Sequence, residues 1–145
     1  LGAGGAVRGI LPTLLDANPR EIVLMNRTAS RAAALVQMFG SHKLRGLPCD
    51  AVTGSYDLIL NATPASAFAP TSRGLSAGSN LSNLSGKPVC YDLNYVLSGM
   101  TPFVAWARKH EFQAMDGLGM LVEQAAEAFF VWHGVRPNTQ GSLFF

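Results

Sequence analysis

Leu1-Gly2-Ala3-Gly4-Gly5-Ala6-Val7-Arg8-Gly9 is the stretch whose reading decides the fold. It is a glycine-rich turn that opens a helix, because Val7, Ile10, Leu11, Leu14 and Leu15 follow at helical spacing. Gly2 permits a tight backbone turn, and Gly4 lets the main chain approach an anion closely. The free N–H groups and positive dipole end of the helix would face that anion. The third small residue of a dinucleotide-binding turn falls instead on Val7, a departure from the pattern. By itself the loop is compatible with a phosphate cradle or with a plain tight turn.

Outward from the turn, strands and helices alternate. A helix is expected from Gly5 to Asp16, stopped by Asn18-Pro19. Pro12 inside it should kink the helix or shift its effective start. Glu21–Asn26 reads as a buried strand, and a second helix starts at Ser30 and is closed by Gly40. A short strand is expected near Leu44–Leu47, then buried strands over Tyr56–Ala62 and Val89–Asn94. Residues 65–88 read as a long surface connection with a helical turn near Ser79–Leu84. Thr101-Pro102 caps a helix to His110, Phe112–Met115 is a last strand, and Gly119–His133 a long apolar helix ended by Gly134.

A glycine turn of this kind is normally launched from a strand at the centre of the sheet, and only Leu1 precedes it here. The expected architecture is α/β: a Rossmann-like, doubly wound parallel sheet in a three-layer αβα arrangement, with the first strand missing from the chain. Residues 1–145 are then one domain of a longer protein whose N-terminal part is absent.

Composition narrows the classes. With 48% hydrophobic and 14% charged residues, the chain has the makings of a folded core rather than of disorder. A net charge of +2 spread over scattered Lys and Arg forms no nucleic-acid stripe, yet suits a phosphorylated ligand. Cys49 and Cys90 lack metal-ligand or CxxC spacing and read as reduced structural thiols of a cytoplasmic protein, with no metal site. No apolar run is long enough to span a membrane.

Open parallel sheets bind ligands beyond the carboxyl ends of their strands. Asn26-Arg27-Thr28, Asn61-Ala62-Thr63, Leu93-Asn94-Tyr95 and Asp116-Gly117 all fall at such ends and, with the glycine loop, are expected to line one crevice. An NAD site places a carboxylate at the second strand's end for the ribose hydroxyl. This chain offers Arg27 there, with Thr28 beside it and Arg31 one turn on, which favours the 2′-phosphate of NADP. On the last helix Met120, Leu121, Gln124 and Ala128 share a stripe, placing Gln124 among apolar neighbours on the face descending from Gly117. Tyr95 reads equally as a strand-end aromatic or as a ligand contact.

Taken together, Gly2-Ala-Gly-Gly-Ala6 with Arg8, Asn26-Arg-Thr28, Asn61-Ala-Thr63, Tyr91-Asp92 with Tyr95, Thr101-Pro-Phe103, and Asp116-Gly-Leu-Gly-Met-Leu-Val122 with Gln124-Ala125 resemble the C-terminal half of the shikimate dehydrogenase family. The match runs in order over essentially the whole chain. Pro64-Ala65 depart from it, where the family more often has small polar residues. The resemblance implies an enzyme that reversibly reduces 3-dehydroshikimate to shikimate with NADPH. It implies that Gly2, Ala3, Gly4, Gly5 and Ala6 hold the pyrophosphate, and that Asn26, Arg27, Thr28 and Arg31 clamp the 2′-phosphate. Ala62, Thr63, Leu93, Gly117 and Met120 would line the nicotinamide side, with Tyr95 and Gln124 reaching the substrate. The family's catalytic pair would lie in an N-terminal domain outside these residues.

The chemistry of the chain agrees. Reducing a ketone needs a positioned acid to supply the alkoxide's proton. Asp92 reads as a buried structural carboxylate and Asp116 as a turn or cap residue, so no catalytic acid is assigned and this chain alone is expected to be inactive. Other readings are a quinate-accepting or NAD-using relative, a non-catalytic NADP-binding sensor module, and a methyltransferase. The last would leave Arg27 and Arg31 without an anion.

Overall fold

Successive side chains of a strand point to opposite faces, and in this chain that alternation distributes the helices. The computed structural model describes residues 1–67, 81 and 84–141. Helix α1 (Gly5–Asp16) leads to strand β1 (Ile22–Met25), helix α2 (Ala29–Phe39) and strand β2 (Leu44–Leu47). Strands β3 (Gly54–Ser55), β4 (Leu58–Asn61), β5 (Leu84–Ser85) and β6 (Val89–Asp92) come next, then helix α3 (Pro102–Lys109), strand β7 (Ala114–Met115) and helix α4 (Leu118–His133). Short 3-10 turns occupy Cys49–Ala51 and Ala65–Ala67. On β1, Leu24 packs with Val7 and Leu11 of α1 and Ala32 and Leu35 of α2. Its neighbour Met25 packs with Ile59, Cys90 and, from α3, Phe103 and Trp106. Helices α1 and α2 therefore cover one face and α3 the other. Leu11 is wholly buried, which stabilises the fold by roughly 2 kcal/mol over an exposed leucine. Burial also pushes the Cys90 thiol up to about 11, so it stays protonated within the core.

The local signals hold at most ends. Gly40 and Gly134 close α2 and α4 in the left-handed conformation, and the Thr101 hydroxyl accepts the Val104 N–H to cap α3. Pro12 does not shift the start of α1, which begins at Gly5. Arg8 and Pro12 are both exposed, so water can take the Arg8 carbonyl that proline leaves without a donor. The helical turn expected near 79–84 falls largely outside the described residues, and Leu84 and Ser85 pair instead as β5 with β3.

The strands are parallel throughout, but they do not form one continuous sheet. β1 pairs with β2, β4 with β6 and β6 with β7, while β1 and β4 are not bonded to each other. Leu1 and Gly2 lie between them. The Leu1 amine donates to the Leu60 carbonyl, the Leu1 carbonyl accepts from Ala62 N–H at 2.9 Å, and Gly2 N–H donates to the Met25 carbonyl at 2.8 Å. The order across the fold is thus β2, β1, Leu1–Gly2, β4, β6, β7. A two-residue segment bridges only the strand tips. Along the rest of their length β1 and β4 stand apart around an apolar slot of about 660 Å3, lined by Val7, Leu11, Val23, Leu58 and Leu60 among others.

Candidate functional site

The glycines of the first loop differ in why they are glycine. Gly2 has φ +104°, and a Cβ there would sit 3.0 Å from the Ala62 carbonyl oxygen, so the turn itself requires it. Gly4 has φ −99°, and a Cβ added at Gly4 or Gly5 meets nothing within 4 Å. Neither backbone conformation nor packing asks for glycine at these two positions, and at Gly5, the first helical residue, alanine would be favoured by about 0.4–1 kcal/mol. Helix α1 also has no side-chain cap and no acidic residue in its first turn. Its leading amides face open space at the strand tips, a cradle that side chains would fill.

Helix α2 repeats the arrangement one strand over. Asn26 Nδ2 donates to the Thr28 carbonyl at 2.9 Å, shaping the turn, while the Thr28 side chain makes no cap bond. Arg27, Thr28 and Arg31 are exposed. Among the described residues neither arginine has a carboxylate partner. Cations beside the positive end of a helix are unfavourable unless an anion joins them. By contrast the N-terminus of α3 is capped by the Thr101 hydroxyl, which accepts the Val104 N–H.

The far side of the strand tips is closed. Asn61 Oδ1 accepts both the N–H (3.1 Å) and the hydroxyl (2.6 Å) of Thr63. Asn61 Nδ2 donates to Asp92 Oδ1 at 2.9 Å, and the Thr101 hydroxyl donates to Asp92 Oδ2 at 2.6 Å. Asn94 adds its N–H and Nδ2 to Asp92 Oδ1 and a second Nδ2 bond to the Thr63 carbonyl at 2.8 Å. Gly117 is packed so tightly that a Cβ would lie 2.6 Å from the Leu93 carbonyl oxygen. Asp116 accepts the Leu118 N–H at 3.1 Å, the turn role expected of it.

Gly2, Ala62, Thr63, Leu93, Asn94 and Gly117 are thus brought together, with Asn26–Arg31 flanking them. Three further expected residues make none of these contacts. Tyr95 is 43% exposed. Met120 is half-buried in the first turn of α4, and Gln124 is exposed on a helix that buries only Ala126. The Asn61–Asp92–Thr101 network was not foreseen as part of the site. Its signal was a polar residue closing each of two apolar strands, since a buried polar group needs a partner. That Asn61 and Asp92 are neighbours follows only from the β4–β6 register.

Two family models match: the one described as shikimate / quinate 5-dehydrogenase over residues 1–93, and the shikimate 5'-dehydrogenase C-terminal domain over residues 117–141. The chain belongs to the shikimate/quinate 5-dehydrogenase family. It is similar to the shikimate dehydrogenase (NADP(+)) of Alkalilimnicola ehrlichii, 45% identical over 96% of this chain and 50% of that protein. Among solved structures it is similar to an Ael1 enzyme from Pseudomonas putida, with TM-score 0.79 and 41% identity over 97% of this chain and 51% of that one. Shikimate 5-dehydrogenase of Thermus thermophilus, solved with NADP(H) and shikimate, gives TM-score 0.75 and 30% identity over 97% of this chain and 50% of that one. The chain therefore spans about half the length of the family members it matches, and its fold is the Rossmann-like one.

The two kinds of glycine should respond oppositely to a methyl group. Gly117→Ala must displace the Leu93 backbone and should destabilise the fold by about 1–3 kcal/mol. Gly5→Ala should stabilise it by roughly 0.4–1 kcal/mol. Urea unfolding midpoints of the two variants check both signs.

Proposed function

We propose that residues 1–145 form the NADP-binding domain of a shikimate dehydrogenase, a cytoplasmic enzyme that reversibly reduces 3-dehydroshikimate to shikimate. The observation that carries this reading is the unneutralised pair Arg27 and Arg31 beside the uncapped end of α2. A 2′-phosphate there would meet guanidinium groups, the Thr28 hydroxyl and free amides, with Asn26 holding the turn. Gly2, Ala3, Gly4, Gly5 and Ala6 would take the pyrophosphate in the open cradle ahead of α1. Ala62, Thr63, Leu93, Gly117 and Met120 would border the nicotinamide. NADPH supplies the hydride when bound; the residues at the strand tips orient it and exclude water from one side.

Tyr95 and Gln124, both exposed, would contact shikimate or 3-dehydroshikimate from this side of a cleft. Among the described residues we assign no proton donor to the substrate, and that task would fall to a substrate domain outside residues 1–145. The apolar slot between β1 and β4 would then receive a strand preceding Leu1. Relatives about twice this length support that division.

Replacing Arg27 with Ala should raise the NADPH dissociation constant by roughly 10- to 150-fold, equivalent to about 1.5–3 kcal/mol, and leave NADH binding unchanged in fluorescence titrations. An equal loss for both cofactors would remove the 2′-phosphate assignment. Residues 1–145 alone should form no NADPH from NADP and shikimate, and measurable turnover would contradict the division of labour.

A further inference from the structure

Asp92 is wholly buried and ionisable, and it has no task in the reading above. Its carboxylate receives Asn61 Nδ2, the Asn94 N–H, Asn94 Nδ2 and the Thr101 hydroxyl, so every partner is a donor. The contacts join the tip of β4, the tip of β6, the loop that follows it and the cap of α3. They converge on Thr63, whose N–H and hydroxyl go to Asn61 and whose carbonyl accepts from Asn94. Leu93 is tied to the same point, with its N–H on the Asn61 carbonyl at 2.8 Å.

Strand pairing alone does not call for this. The β4–β6 ladder already runs from Leu58 and Val89 to Asn61 and Asp92, with Ile59 and Cys90 packed in the core. An apolar pair would hold those tips without the desolvation cost of a buried carboxylate. What an apolar pair cannot do is orient Thr63 in three directions at once.

We infer that Asp92 is a positioning residue: through Asn61 and Asn94 it holds Thr63 and Leu93 at the angle that aims the nicotinamide ring for hydride transfer. The inference rests on the proposed NADP role and deepens it. Asp92 would not touch the cofactor, and the phosphate contacts at Arg27 and the glycine loop lie on other segments. Its loss should therefore appear in the chemical step rather than in binding.

The test uses the whole enzyme carrying Asp92→Asn, which keeps the side chain's shape but turns one acceptor into a donor facing Thr101. Asn94→Ala, at a half-buried position, is a second variant should the first fail to fold. The expected result is an unchanged NADPH dissociation constant and a kcat lowered roughly 10- to 100-fold, the scale of a small misplacement of reacting groups. The deuterium isotope effect on kcat with NADPH labelled at the transferred hydrogen should also rise. Unchanged kcat in the folded variants, or kcat and NADPH affinity falling together with thermal stability, would overturn the inference in favour of a purely structural carboxylate. Wild-type enzyme that fails to bind NADPH would sink the nucleotide assignment first, and this inference with it.

Discussion

Three hydrogen bonds from Leu1 and Gly2 hold the two halves of the sheet in register. The amine and carbonyl of Leu1 bind β4, and the amide of Gly2 binds β1, so the glycine loop is referenced to both halves at once. Gly2 can then turn sharply only because it lacks a side chain, its φ of +104° being one that other residues rarely adopt. That turn lifts α1 over the strand tips and leaves its first amides exposed. The position of the cradle follows from this splice.

Around the splice the strand tips divide into an open side and a closed side. On the open side Gly4, Gly5, Arg27, Thr28 and Arg31 leave polar capacity to solvent, since among the described residues no carboxylate or capping side chain absorbs it. On the closed side Asn61, Asp92, Asn94 and Thr101 satisfy one another, and Gly117 is pressed against the Leu93 backbone. A dinucleotide has the same asymmetry. Its phosphates want free donors and charge, whereas its ring wants rigid walls and a fixed angle.

Much of this was legible residue by residue. Helix α1, the closing glycines Gly40 and Gly134, the Thr101 cap and the strand at Leu44–Leu47 all depend on neighbours a few positions away, and those signals survive in a linear reading. The Arg27 and Arg31 reading was also local, a matter of which residues end a strand and begin a helix. What was not legible was non-local. Gln124 shares an apolar stripe of α4, but whether a stripe is covered depends on what packs on it, and among the described residues α4 buries Ala126 alone. The short β3–β5 pairing joins residues thirty positions apart, and nothing in either dipeptide announces the other.

From the order of its residues alone, then, the chain determined its α/β class, the places where strands end, and the cationic character of one crevice edge, because each of these is set by contacts along the backbone. Tertiary structure alone decided that Asn61 and Asp92 meet. It also decided that Gly4 and Gly5 face open space while Gly117 faces a carbonyl. These depend on which segments become neighbours in space, and two apolar strands with similar compositions do not say which of them will lie side by side.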